Sequence, residues 1–139
     1  MIDHPIMWIP SPHPMGCWAA SASMMLGRSP SVRSVRIAAN GGLPVGLANL
    51  RSFANELGLK LIPGITLSPS GLENLLANGP VMFCGTMTGG LSHAIVIGGI
   101  NGDMVRVYDP APSAGGGKWV SYVKLVNIFP AASRFVLHK

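Results

Sequence analysis

The chain has 139 residues, of which 48% are hydrophobic and 11% are charged, with a formal net charge of +5 at pH 7. This size and composition fit one domain, residues 1–139, with a substantial core. No uninterrupted apolar run of about 18 residues occurs, which argues against a membrane span. The start, MIDHPIM, lacks the basic and apolar regions of a signal peptide. The scattered basic residues argue against nucleic-acid binding, whereas the positive charge suits an acidic partner.

The first half of the chain carries mainly helix signals. Residues 1–16 are rich in proline and are predicted to be extended. Helices are predicted, in chain order, at about residues 17–26, 31–39, 45–57 and 69–78, with a short strand at 59–62. The third helix has apolar side chains at helical spacing, and Ser68 with Pro69 provides the start of the fourth.

The second half changes character after Pro80. Five segments rich in β-forming residues are separated by turn residues: PVMFCGTM, HAIVIGGI, MVRVYD, KWVSYVKL and SRFVLH. The three glycines at residues 115–117 are most simply a flexible hairpin loop. Helices followed by strands, without βαβ alternation, predict an α+β fold with a mainly antiparallel C-terminal sheet.

Two cysteines are too few for a disulfide scaffold in a chain of this length, which favours free thiols and a reducing compartment. Cys84 lies within a predicted strand and is expected to pack in the core. Cys17 opens the first predicted helix, directly after Gly16. The thiolate is the reactive form of cysteine, and both a helix N-terminus and a nearby imidazolium favour it.

A histidine and an aspartate are predicted to meet at one end of a hairpin. His93 opens one strand and Asp109 ends the next. A three-residue loop over residues 100–102, with glycine in the left-handed position, would place the two side chains opposite each other. The pairing predicted by that loop is Gly99 with Asp103, Ile97 with Val105, Ile95 with Val107 and His93 with Asp109. A two-residue turn would instead place His93 and Asp109 on opposite faces of the hairpin.

These residue types together indicate nucleophilic catalysis. In this interpretation the Cys17 thiolate attacks a carbonyl carbon, and His93 protonates the leaving amine before water releases the acyl group. Asp109 orients the imidazole, and the Cys17 backbone N–H donates to the oxyanion. Zinc binding by the same three residues is disfavoured because no CxxC or HxxxH pair prepares a site, so neither metal nor cofactor is predicted.

Three segments resemble the papain-like cysteine peptidases: PMGCWAA at residues 14–20, SHAIVIGG at 92–99 and YDP at 108–110. The chain is similar to two branches of that fold, the small secreted effector proteases of plant-pathogenic bacteria and the bacteriocin-processing domains that cut after Gly-Gly. The resemblance implies that Cys17 is the nucleophile, His93 the base and Asp109 the orienting residue. It also implies a protein substrate with small residues before the cut.

One position departs from the pattern of these families. They usually carry a glutamine, an oxyanion donor, six residues before the cysteine, where this chain has Ser11; it contains no glutamine at all. Ser11 or His13 is therefore a candidate substitute, or the backbone acts alone. Trp18 is a candidate for a wall of the substrate cleft or for the core.

The resemblance implies a biological setting as well. Compact domains of this kind often form the toxic part of a secreted bacterial protein that acts in the cytosol of a neighbouring or host cell. A producing bacterium then needs an immunity protein, and an acidic one would complement the net charge of +5. The alternatives are a side-chain deamidase, a peptidase or amidase acting on peptidoglycan, and an inactive peptide-binding module.

Overall fold

The computed structural model describes residues 1–11, 17–27, 47–63, 67–88, 92–130 and 134–139. The helices are α1 (Cys17–Leu26), α2 (Leu47–Leu57), α3 (Pro69–Leu76) and α4 (Tyr122–Ile128). The strands are β1 (Ile2–Asp3), β2 (Lys60–Pro63), β3 (Val81–Thr86), β4 (Ser92–Asn101), β5 (Met104–Tyr108), β6 (Gly116–Ser121) and β7 (Arg134–His138). The helix predicted at 31–39 lies outside the described residues.

The strands form one antiparallel sheet in the order β2-β7-β3-β4-β5-β6. Strand β4 is the longest, and β3 pairs only with its first part, up to Ile97. The short strand β1 pairs with the remainder of β4 at Ile100 and Gly99. The predicted α+β class with a mainly antiparallel sheet is confirmed.

Each face of the sheet packs against two of the described helices. On one face, α1 and α2 cover Met82, Cys84, Ala94, Val96 and Leu137. On the other face, α3 and α4 cover Val81, Phe83, Ile95, Ile97 and Val136. These two sets alternate along the strands, as expected for strands with period-two side chains. The alternation predicted for the hairpin is therefore correct: Ile95 and Ile97 share one face, and Ala94 and Val96 the other.

The sequence predicted a single strand at KWVSYVKL, but this segment is divided between a strand and a helix. Strand β6 ends at Ser121 and α4 begins at Tyr122. The backbone N–H of Tyr122 donates to Asp103 O at 2.9 Å, while Leu125 and Phe129 follow Tyr122 at near-helical spacing and are buried with it. The segment forms a helix despite its β propensity, because the helix buries these three side chains against the sheet. None of the described helices is long and apolar enough to cross a membrane.

The first eleven residues cross the sheet as an extended segment. Below we call residues 1–11 the N-terminal strap. Its side chains alternate, with Ile2, His4, Ile6 and Trp8 partly buried and the intervening residues exposed. After β1, the strap continues with a hydrogen bond from His4 N to Gly98 O (2.8 Å) and ends with one from Ser11 N to Pro110 O (2.7 Å). The strap therefore runs from the far end of β4 to the residue that follows Asp109.

Candidate functional site

Helix α1 places Cys17 beside the beginning of β4. The helix is buried along almost its whole length, and its small side chains allow a close approach to the sheet. The Ser21 hydroxyl, one turn after Cys17, donates to Ala94 O at 3.2 Å. This bond fixes the first turn of α1 next to His93, and Cys17 retains 9% of its surface exposed.

His93 and Asp109 are hydrogen-bonded, with 2.8 Å between His93 Nε2 and Asp109 Oδ1. The same carboxylate oxygen accepts the backbone N–H of Ala111 at 2.9 Å. The two side chains keep 17% and 30% of their surface exposed, so the pair is partly shielded from water. Asp109 therefore holds the His93 ring in one orientation.

The strand register that brings His93 to Asp109 differs from the predicted register. The hairpin turn has two residues, because Asn101 pairs with Met104, and Gly102 takes the left-handed conformation with φ of 61°. A bulge at Gly98 then shifts the pairing, so that Ile97 faces Val107. A two-residue turn alone would place His93 and Asp109 on opposite faces of the hairpin. The extra residue at the bulge returns them to the same face. His93 and Asp109 are thus diagonal neighbours, and the prediction that they are direct cross-strand partners is wrong.

A side chain at residue 98 has no room in this bulge. A Cβ built on Gly98 would lie 2.6 Å from Ile6 Cδ1 and 2.9 Å from Tyr108 Cε2. We expect Gly98→Ala to lower the free energy of unfolding by about 1–3 kcal/mol, the usual cost of overpacking, and to weaken the His93–Asp109 bond. Urea unfolding and the His93 imidazole NMR signal measure the two effects. Gly102→Asn is the control, since no atom lies within 4 Å of that Cβ position; equal effects of both variants would contradict the packing argument.

Two groups act on the His93 ring, the Asp109 carboxylate and the Cys17 thiol. Because Asp109 engages Nε2, Nδ1 is the ring nitrogen left to interact with the thiol. Burial lowers the pKa of His93, but the interactions with Asp109 and Cys17 outweigh burial and raise it to about 9. Burial raises the pKa of Asp109, and the bonds from His93 and from Ala111 N–H reverse this, leaving it below its ordinary value. With this pKa, His93 is protonated at neutral pH.

The second cysteine has a different environment. Cys84 is fully buried in β3, with its Sγ 3.6 Å from Phe135 O. Burial, followed by the charge of Cys17, raises the pKa of the Cys84 thiol well above its ordinary value. Cys84 is therefore an unreactive core residue, as expected from the sequence.

Two of the three remaining candidate residues are among the described ones. Trp18 is only 3% exposed and packs edge-on against Phe53, with ring centroids 6.0 Å apart. This placement favours the core over a cleft wall. Ser11 lies next to Pro110 through its backbone N–H, and His13 lies outside the described residues. The oxyanion role of Ser11 or His13 stays a prediction. Among the described residues, no three His, Cys, Asp or Glu side chains are grouped to hold a metal ion.

One neighbour of this site was not predicted from the sequence. The Trp8 indole N–H donates to the backbone oxygen of Asp109 at 2.8 Å, across 101 residues of sequence. The Trp8 ring lies directly against the Cα of Gly116, where any Cβ would collide with it. Gly116 therefore begins β6 beneath the ring, whereas the glycines at 115–117 were predicted to form a flexible loop.

Three solved structures share this fold. A double-glycine motif protease from an AMS/PCAT transporter, in complex with its leader peptide, aligns with a TM-score of 0.62 and 19% identity over 98% of this chain and 93% of that one. The peptidase domain of Streptococcus ComA, a bifunctional ABC transporter of a quorum-sensing pathway, gives 0.68 and 16% over 96% and 98%. A C39-like peptidase from Bacillus anthracis gives 0.68 and 16% over 99% and 97%.

No curated protein sequence matches this chain. The sequence pattern of one family does match it, over residues 3–122, a stretch that includes Cys17, His93 and Asp109. The match covers most of the chain and agrees with the fold of the three peptidase structures. The chain is therefore a cysteine peptidase that belongs to the family of the papain-like cysteine protease AvrRpt2.

Proposed function

We propose that this peptidase cleaves proteins through a triad formed by Cys17, His93 and Asp109. The observation that carries the proposal is the arrangement around the His93 ring. One ring nitrogen lies 2.8 Å from Asp109 Oδ1, and the Cys17 thiol is close enough to the ring to raise its pKa. Thiol-dependent hydrolysis requires a nucleophile, a base and an orienting group that contact one another in this order.

The chemical steps follow from these contacts. The Cys17 thiolate attacks the scissile carbonyl carbon, and the new oxyanion accepts a hydrogen bond from the Cys17 backbone N–H, which has no partner within the helix. The C–N bond breaks as the His93 imidazolium gives its proton to the leaving amine, and a thioester remains. His93 then takes a proton from water, the hydroxide attacks the thioester, and the C–S bond breaks. The product leaves as a carboxylic acid that gives its proton to solvent water, and thiolate and imidazolium are restored.

The proposed substrate is a protein segment with small residues, such as Gly-Gly, before the cleaved bond. Two observations support it. The chain resembles peptidases that cut after Gly-Gly, and one protein of the same fold is named a double-glycine motif protease and was solved with its leader peptide. A narrow cleft accepts such residues because they lack bulky side chains.

The proposed setting is that of a toxic effector delivered into a target-cell cytosol. The resemblance to bacterial effector proteases supports it, and so do the two free cysteines, which suit a reducing compartment. The net charge of +5, with exposed basic side chains such as Lys60, Lys118 and Lys124, suits an acidic immunity protein in the producing cell.

New protein N-termini test the proposed activity. We expect bacteria that express the chain in their cytosol to lose viability and to accumulate a small set of new N-termini, with small residues before each cut. The Cys17→Ala variant should give neither. Intact target proteins heavier by about one dalton, without fragments, would instead identify a deamidase, since hydrolysis of a side-chain amide replaces NH₂ by OH. Equal toxicity of the Cys17→Ala variant would contradict hydrolysis and favour a binding module.

A further inference from the structure

The backbone around Asp109 lacks the usual support of a strand. Strand β5 ends one residue earlier, at Tyr108, and the next residue, Pro110, has no N–H to donate. The carboxylate nevertheless must stay within 2.8 Å of His93. Some other part of the chain has to hold this backbone in place.

The N-terminal strap supplies those contacts. The Trp8 indole donates to Asp109 O at 2.8 Å, and Ser11 N donates to Pro110 O at 2.7 Å. The backbone oxygens of the two residues at this turn are thus both held by the strap. The Asp109 carboxylate meanwhile accepts from His93 and from Ala111 N–H.

Trp8 is itself fixed in position. One side of its ring rests on Gly116, which leaves no room for a Cβ. Arg106 joins the strap to the same strand, because its guanidinium donates to both Asp3 carboxylate oxygens (3.2 and 2.9 Å) and to Gly117 O (3.0 Å). The strap is therefore joined to strand β6 at two points.

We infer that Trp8 is a positioning residue for the candidate triad, acting through the backbone of Asp109. The inference rests on the proposed roles of Cys17, His93 and Asp109. The indole N–H is the single donor of the Trp8 side chain, and it is engaged by Asp109 O. The effect of Trp8 passes from the indole N–H to the Asp109 backbone, and from the Asp109 carboxylate to the imidazole.

The test is Trp8→Phe, which keeps an aromatic ring on Gly116 and removes the donor. We expect kcat for a peptide substrate to fall about 10-fold, the effect of losing one hydrogen bond, with KM unchanged. The alkaline limb of the pH profile should move to lower pH, because the titratable groups acting on His93 are Cys17 from α1 and Asp109, and Asp109 is then less well placed. Trp119→Phe is the matched control, since it removes an exposed indole from β6.

A second readout separates this inference from the proposed function. In a Cys17→Ala background, which needs no activity, Trp8→Phe should lower the pKa at which the His93 imidazole titrates by NMR. An unchanged His93 titration, or a lower Tm with unchanged kcat, would show that Trp8 is only structural. If Trp8→Phe fails to fold, Gly116→Ala displaces the ring and should produce the same changes in kcat and in the His93 titration; its failure to do so would also overturn the inference.

Discussion

Replacing Cys17 with alanine is expected to lower kcat/KM for peptide hydrolysis by at least about 10⁴-fold, and His93→Ala should do nearly the same. In the proposed mechanism the two residues act as a unit, so the double variant should be little worse than either single one. In that mechanism the Cys17→Ala variant lacks the nucleophile, and the His93→Ala variant lacks the proton donor for the leaving amine. The measurement is the steady-state rate on a substrate taken from the new N-termini.

Cys84→Ala is the control for this experiment, because it removes the other thiol from the neighbouring strand. Cys84 is fully buried and pairs with Ala94 in the sheet. We expect this variant to keep its activity and to lose only a modest part of its stability through the small cavity. Alkylation by iodoacetamide gives a substrate-free check: Cys17 should react and Cys84 should not. Labelling of Cys84 with Cys17 unmodified would contradict the assignment.

Local patterns predicted the elements that position the site. The helical stripe of α2 is buried as expected, at Leu50, Phe53, Ala54 and Leu57. Along β4, alternate residues face the two opposite helical layers. Such patterns are visible in a sequence because α2 buries one stripe at helical spacing and successive strand residues point to opposite faces.

Two features depended on contacts between distant segments, and periodicity did not reveal them. The bulge at Gly98 favours glycine because Ile6 and Tyr108 occupy the space where a side chain would lie. The bond from Trp8 to Asp109 joins residues 101 positions apart. The sequence thus predicted which residues meet at the site, but the register that joins His93 to Asp109 follows from tertiary packing.

The stability of the fold is expected to depend on pH through His93. The pKa of His93 is raised from 6.5 to about 9 in the folded chain. A group with a raised folded pKa stabilises the fold fully below its unfolded pKa and loses that contribution as pH rises through its folded pKa. We therefore expect the free energy of unfolding to fall by up to about 3 kcal/mol between pH 6.5 and pH 9 or slightly above. Urea unfolding at a series of pH values measures this decline.

The variant Asp109→Asn determines whether the His93–Asp109 pair causes the decline. Asparagine keeps the shape of the side chain and removes its charge, so the pKa of His93 should move down towards its ordinary value and the alkaline decline should become shallower. The Asp109 carboxylate also stabilises the fold, because its pKa is lowered in the folded chain. This contribution is present above pH 3.8 and is lost as pH falls below that value. The Asp109→Asn variant should not show this acid decline in the free energy of unfolding. Asp103→Asn, at the exposed turn between β4 and β5, should leave the acid and alkaline declines in the free energy of unfolding as they are in the parent chain. An alkaline decline equally steep in Asp109→Asn would place its origin outside the His93–Asp109 pair.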